Sequence, residues 1–129
     1  MFIVSNLSLS NFSIKIQNYY IDFTGAHLVS NEDFVFLFEG YLYPDIEHDL
    51  NDLISFFESF DKPDSFTMFK GKYSGIFINL SNDNIYFFND QLGSRDIYYY
   101  NSGENFIISN SFSAILFRRR FLFDDIDID

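Results

Sequence analysis

Residues 34–43 read FVFLFEGYLY, a nearly continuous apolar run that only Glu39 and Gly40 interrupt. Apolar residues at consecutive positions predict a strand that is buried on both of its faces. Pro44 follows directly and has no backbone N–H to donate to a sheet, so the strand is expected to end there. This run therefore predicts an interior strand.

A helical pattern comes next in the sequence. Between residues 45 and 60 apolar side chains recur at helical spacing, at Ile46, Leu50, Leu53, Ile54, Phe57 and Phe60. Asp45 or Asp49 supplies a carboxylate for the amino-terminal cap, and Pro63 follows the last apolar residue. One further turn is predicted at Ser65–Phe69, and a second short helix at Ser111–Phe117.

Runs of β-branched and aromatic residues between turn residues predict strands in the rest of the chain. The amino-terminal ones are Phe2–Val4, Phe12–Ile16 and Tyr19–Phe23. We expect the later ones to form a single antiparallel sheet, with residues 34–43 in a facing or adjoining sheet; they are Tyr73–Leu80, Ile85–Asn89, Ile97–Tyr100 and Phe106–Ser109. The predicted fold class is α+β, with antiparallel sheets layered with a few helices.

Composition excludes several classes of function. The 129 residues carry 19 acidic and 8 basic side chains, a net charge of −11, which disfavours nucleic acid and anionic membranes as partners. The absence of cysteine excludes disulfides, thiolate zinc sites and a cysteine nucleophile. His27 and His48 lack ligand spacing, so no metal site is predicted. With no basic, apolar leader and no membrane-length apolar run, a cytoplasmic protein is expected.

Four pieces of the sequence occur in an order that resembles a known family. They are EGYLY, GKYSGIFINL, YFFNDQLGSRDIYYY and FIISNSFSAIL. They resemble the class II glutamine amidotransferase domain of asparagine synthetase-like proteins over roughly residues 34–117. The matching residues are Gly75, Phe77, Asp90, Gly93, Arg95, Tyr98, Tyr99, Ser109 and Ala114, with Asn110 where the family has Glu.

The resemblance implies a reduced glutaminase-like domain of the Ntn-hydrolase type over residues 1–123. Residues 124–129 would be an acidic tail or the start of a further region. It also implies that Glu39, Gly40, Asp90 and Gly93 occupy positions of a former glutamine site. In the family the Asp that matches Asp90 holds the α-amino group of glutamine.

Asp90 has a second interpretation in which it only shapes its loop. It would then accept hydrogen bonds from backbone N–H groups of that loop, at Leu92, Gly93 or Ser94. Arg95 and Asp96 are predicted to be structural residues of the same loop. Asp96 stands where the family has Pro, so this position has lost a fixed φ and gained a charge.

Two requirements of glutamine hydrolysis are missing from the sequence. The family attacks glutamine with an amino-terminal Cys whose own amine is the base, but this chain begins Met1-Phe2. The family's Asn-Gly pair stabilises the oxyanion, and here the pair is Glu39-Gly40. A carboxylate would repel that oxyanion, and losing one donor typically costs ~10²–10³ in rate. No catalytic residue is therefore assigned.

The leading hypothesis is a catalytically inactive amidotransferase-like domain with a structural or docking role in an ATP-dependent amide-forming enzyme, including peptide-cyclising ones. Its partner would be an ATP-pyrophosphatase-type synthetase domain or subunit, or a peptide substrate. ATP and Mg²⁺ would belong to that partner, and this chain itself would need no cofactor. The alternatives are a stand-alone acidic module that binds a basic peptide or protein, and an active amidotransferase.

Overall fold

The computed structural model describes residues 1–7, 14–43, 49–59, 69–90 and 96–111. In chain order its elements are β1 (Phe2–Ser5), β2 (Ile14–Ile16), β3 (Tyr19–Phe23), β4 (His27–Ser30), β5 (Phe34–Leu42), α1 (Leu50–Glu58), β6 (Gly71–Asn79), β7 (Asn84–Asn89), β8 (Tyr98–Ser102) and β9 (Asn105–Ser109). They fall into two compact units. One contains Met1–Gly25 and the described residues from Ile97 onward, and the other is Ala26–Asp96.

The first unit contains a five-stranded antiparallel sheet in the order β2-β3-β1-β9-β8. The apolar strand β1 lies at its centre, where Ile3 pairs with Asp22 of β3 and with Ser109 of β9. Every residue of β1 is buried, as expected for a central strand of β-branched and aromatic residues. Ile3 and Ile107 form a small apolar cluster that partly buried residues such as Tyr98 cover.

The second unit contains a four-stranded antiparallel sheet in the order β4-β5-β6-β7. Strands β5 and β6 pair along their full nine residues, from Phe34 opposite Asn79 to Leu42 opposite Gly71. One face of this sheet carries an aromatic cluster because side chains alternate along each strand. The cluster contains Phe34, Phe36, Phe38, Tyr73 and Phe77, with Leu53, Ile54 and Phe57 of α1 packed on it.

Helix α1 begins where the sequence provides a cap. The Asp49 carboxylate accepts the Asp52 N–H at 3.0 Å, and the Asp52 carboxylate accepts the Asp49 N–H at 2.9 Å. This reciprocal pair satisfies two N–H groups that have no partner inside a helix. Phe57 then brings the helix onto the sheet, with its ring centroid 4.8 Å from that of Phe88. A helix is present within the predicted range 45–60, over Leu50–Glu58, and Asp49, one of the two predicted caps, caps it.

The predicted fold class is wrong. Of the described residues, 58% lie in strands and 11% in helix, with one helix and two antiparallel sheets, which does not resemble a layered Ntn-hydrolase fold. Most of the described residues show patterns of aromatic and β-branched side chains that favour strands. Among them, only residues 50–58 show a helical pattern. The second predicted helix, from Ser111, and the turn from Ser65 fall largely outside the described residues.

The predicted pairing of the strands is also wrong. Strands β6 and β7 belong to the second sheet and β8 and β9 to the first, so residues 73–109 do not form one sheet. Residues 34–42 lie in the same sheet as β6, not in a facing or adjoining one. A longer connection separates β7 from β8, and only a short turn would have forced the two strands to pair. Instead, β9 pairs with the buried strand β1.

The individual strands were predicted more accurately. Strand β3 has the predicted bounds, and β5 is buried on both faces, since Phe36 and Leu37 are both fully buried. The other predicted strands occur with small shifts at their ends, and for Phe12–Ile16 the described part is Ile14–Ile16. Strand β4 was not predicted. The Asp45 cap and the acidic residues 124–129 lie outside the described residues.

Candidate functional site

Gly40 approaches the backbone of β6 more closely than any other residue type could. It lies opposite Tyr73 in the β5–β6 ladder and has a φ of +117°. A Cβ atom at this position would lie 2.0 Å from the carbonyl oxygen of Lys72 and 2.7 Å from the Cα of Tyr73. Both the positive φ and the close approach therefore require glycine.

Asp90 is hydrogen-bonded to the backbone of Tyr73, the residue that lies opposite Gly40. Its Oδ2 accepts the Tyr73 N–H at 3.0 Å, and its own N–H donates to the Tyr73 carbonyl at 3.1 Å. Ser74 pairs with Asn89, so Asp90 occupies the next position of the β6–β7 ladder. Its carboxylate thus takes the place of the backbone carbonyl that a longer β7 would have offered. Asp90 is only 4% exposed.

The Tyr73 side chain is fully buried beside this carboxylate. Its ring stacks on Phe38, with centroids 5.5 Å apart, and its hydroxyl donates to the carbonyl oxygen of Phe69. Burial, and to a lesser extent the negative charge of Asp90, raise the pKa of the Tyr73 phenol well above its ordinary value. The phenol therefore stays neutral and acts as a hydrogen-bond donor at physiological pH.

This raised pKa gives a pH-dependent prediction for Tyr73→Phe. Near pH 7 the variant should lose about 1 kcal/mol of unfolding free energy, because the hydrogen bond to Phe69 is removed. Above about pH 10 the unfolded chain releases the Tyr73 proton and the folded chain does not, so wild type loses stability that the variant keeps. The difference between the two proteins should therefore narrow as pH rises through that range.

Urea unfolding at pH 8 and at about pH 10.5 measures this difference. Tyr41→Phe is the matched control, because Tyr41 is 48% exposed and its replacement should have a small effect at both pH values. A Tyr73→Phe difference that stays constant between the two pH values would contradict the assigned burial of the phenol.

The four positions that the resemblance assigns to one glutamine site do not lie together in the structure. Gly40 and Asp90 both lie opposite Tyr73, but on different sides of β6, so that strand separates them. Glu39 is half-buried and pairs with Ser74. Because side chains alternate along a strand, Glu39 lies on the opposite face of the sheet from Phe38 and Gly40. Gly93 lies outside the described residues.

The sequence also predicted hydrogen-bond donors and structural residues in the loop after Asp90. The expected N–H donors at Leu92, Gly93 and Ser94, and Arg95, lie outside the described residues, and Asp96 is exposed. Sequence reasoning did not name Tyr73 as the partner of Asp90. No local signal names this partner, because the donor is the backbone N–H of Tyr73, a group that every residue of β6 carries.

In the first unit, the amino terminus is held in the five-stranded sheet. Phe2 is fully buried, its N–H donates to Asn110 Oδ1 at 2.9 Å, and its carbonyl accepts the Ser109 hydroxyl at 2.5 Å. The Met1 ammonium donates to the Thr24 carbonyl at 2.6 Å. Phe2 thus has its phenyl ring in a core and its backbone N–H in a hydrogen bond.

Within the part of the chain that the structure describes, no group of three or more His, Cys, Asp or Glu side chains is arranged to hold a metal ion. No helix in those same segments is both long and apolar enough to cross a membrane.

Comparisons with protein-family models, with curated proteins and with solved structures found no match to this chain. The relation to glutamine amidotransferases is therefore a hypothesis that rests on the residues themselves.

Proposed function

We propose that this chain is a catalytically inactive, glutamine amidotransferase-like domain with a structural or docking role. The observation that carries the proposal is the use of Asp90. Its buried carboxylate binds the backbone N–H of Tyr73, directly across the ladder from Gly40. Two positions that the resemblance assigns to one amino-acid site thus flank the same residue of β6 from opposite sides, and the carboxylate is used to bind the backbone of the sheet. The proposal rests on these positions and not on a layered α+β architecture.

The environment of Phe2 supports the absence of hydrolysis. An amino-terminal nucleophile needs a thiol or hydroxyl that reaches the substrate and an amine that can take its proton. Residue 2 offers a fully buried phenyl ring and an amide N–H that donates to Asn110. Neither group can attack a carbonyl carbon or accept a proton from a nucleophile.

The Glu39-Gly40 pair, at the position where the family stabilises the oxyanion, supports the same proposal. A developing oxyanion is stabilised by hydrogen-bond donors that are already in place. Glu39 stands where the family has an Asn donor, and an ionised carboxylate has no hydrogen to donate. The backbone N–H of Gly40 would be the remaining donor of the pair. Restoring the nucleophile alone would therefore leave the site short of a donor.

A docking role matches the partners that the resemblance implies. In this proposal an ATP-pyrophosphatase-type synthetase domain or subunit binds ATP and Mg²⁺ and forms the amide. This chain supports that domain or helps to hold its peptide substrate. Glutamine hydrolysis is unnecessary when the attacking amine belongs to the substrate itself.

We expect purified protein to release no ammonia from glutamine above the protein-free background. A Phe2→Cys chain from which Met1 has been removed should also release none, because Glu39 remains. A coupled glutamate dehydrogenase assay measures both proteins, with an active glutaminase as the positive control. Ammonia release by the unmodified chain that rises with its concentration would refute the proposal.

A further inference from the structure

Strand β4 forms one edge of the four-stranded sheet, and its hydrogen-bonding pattern shows which of its groups point outward. The Asn31 N–H donates to the Phe34 carbonyl at 3.1 Å, which marks these two residues as a hydrogen-bonded pair. Such pairs alternate along an antiparallel ladder, so Val29 with Phe36 is the next one. The N–H and C=O groups of Leu28 and Ser30 therefore point away from β5.

This outer edge is open to solvent. His27, Val29 and Ser30 are exposed, with Val29 at 40%, and Leu28 is half-buried. Within the described segments, no residue hydrogen-bonds to the outward groups of Leu28 and Ser30.

An edge that offers unpaired backbone groups can accept another strand, and proteins often prevent this with an edge Lys or Pro. Strand β2, an edge of the other sheet, carries Lys15, but the sequence HLVS of β4 has neither residue.

The charges around β4 favour one kind of partner. Glu32 and Asp33 are exposed in the turn that directly follows the strand. Asp83 lies in the turn at the same end of the sheet, where the Leu80 N–H donates to the Asp33 carbonyl at 2.9 Å. Lys70 and Lys72, by contrast, lie at the opposite end of the β5–β6 ladder. The end of the sheet toward which β4 runs is therefore acidic.

We propose that the outer edge of β4 binds an extended, basic segment of a partner protein as an added strand. Leu28 and Ser30 would exchange backbone hydrogen bonds with that segment, which is the usual source of affinity in strand addition. A residue of the partner would lie opposite Val29 in a close, non-hydrogen-bonded pair. It would cover part of the exposed Val29 side chain. Lys or Arg residues at one end of the segment would meet Glu32 and Asp33.

A second copy of this chain fits the edge less well. Each copy carries a net charge of −11, so two copies would repel one another along such a contact. This proposal is carried by residues other than Gly40, Tyr73 and Asp90, and it stands or falls separately from the proposed function.

The test uses the whole chain and a fluorescein-labelled peptide of sequence KKVTVTV. We expect saturable binding by fluorescence anisotropy that weakens as salt rises, because charge pairs contribute to it. Hydrogen–deuterium exchange followed by NMR should show slower exchange of the Leu28 and Ser30 amides in the complex. A peptide with Glu in place of both Lys residues should bind about tenfold more weakly or not at all.

Ser30→Pro removes an outward N–H group, and the side chain and fixed φ of proline are compatible with an edge strand. It should weaken peptide binding about tenfold, and Ser30→Ala, which keeps the N–H, should not. Two peptides, one N-methylated at the valines and one at the threonines, test the same hydrogen bonds in either register without changing the protein. Glu32→Gln combined with Asp33→Asn should lower affinity and reduce its dependence on salt.

Three results would each overturn the proposal. The first is no saturable binding at millimolar peptide. The second is an affinity for both N-methylated peptides that equals the affinity for the unmodified one, or equal affinities of folded Ser30→Pro and Ser30→Ala proteins. The third is amide protection at another strand, or protection of β4 by self-association in the absence of peptide, which sedimentation would detect.

Discussion

Replacing Gly40 by alanine is expected to lower the free energy of unfolding by about 4 kcal/mol, which is most of the stability of a domain at the low end of the usual range. The new Cβ would lie 2.0 Å from the Lys72 carbonyl oxygen, inside any allowed contact distance. That oxygen belongs to the backbone of β6, so it can move away only if the β5–β6 ladder separates. A φ of +117° adds strain that alanine carries and glycine does not.

Gly25→Ala is the matched control for this prediction. Gly25 also has a positive φ, of +74°, but a Cβ there would meet nothing within 4 Å. Its replacement should therefore cost only the strain of a left-handed alanine, about 1 kcal/mol. Urea denaturation followed by circular dichroism measures both variants. Equal losses at Gly40 and Gly25 would contradict the close approach of β5 to β6.

Replacing Asp90 by alanine is expected to lower the free energy of unfolding by about 3 kcal/mol. The substitution leaves the Tyr73 N–H without the acceptor that now lies 3.0 Å away. Because the site is buried, water cannot readily substitute for the carboxylate, and the unsatisfied group bears its full desolvation cost. The loss should be seen as a lower midpoint of urea unfolding.

Asp90→Asn is the informative companion, because its side-chain carbonyl keeps an acceptor of the same size at the same place. It should lose clearly less stability than Asp90→Ala. Glu32→Ala, at an exposed carboxylate of the same unit, should change stability by no more than about 0.5 kcal/mol. If Asp90→Ala were as stable as Glu32→Ala, the hydrogen bond to Tyr73 would have no structural role.

The strands and the helix were largely predictable because they depend on local patterns. The bounds of β3 follow from the run YYIDF, and the start of α1 follows from the position of Asp49. Strand β4 was missed because its four residues, HLVS, are too few to show a period and carry little apolar character. Its place in the sheet comes from pairing with β5, which no local pattern reports.

The assembly of the sheets and the environment of Asp90 depend on contacts between residues distant in sequence. Tyr73 lies 17 positions from Asp90, and Phe2 lies 108 positions from the Asn110 side chain that accepts its N–H. The sequence placed Asp90 at a loop edge and predicted donors within that loop. It had no means of showing that the end of β7 would bring this carboxylate onto the backbone of β6.

Isothermal titration of the purified chain with glutamine tests most directly whether Asp90 holds the sheet together or holds an amino acid. We predict no saturable heat at millimolar glutamine for wild type or for Asp90→Asn, together with the stability loss of Asp90→Ala described above. Saturable glutamine binding that Asp90→Asn abolishes, in a variant that unfolds at the same urea concentration as wild type, would contradict the account and identify a working amino-acid site.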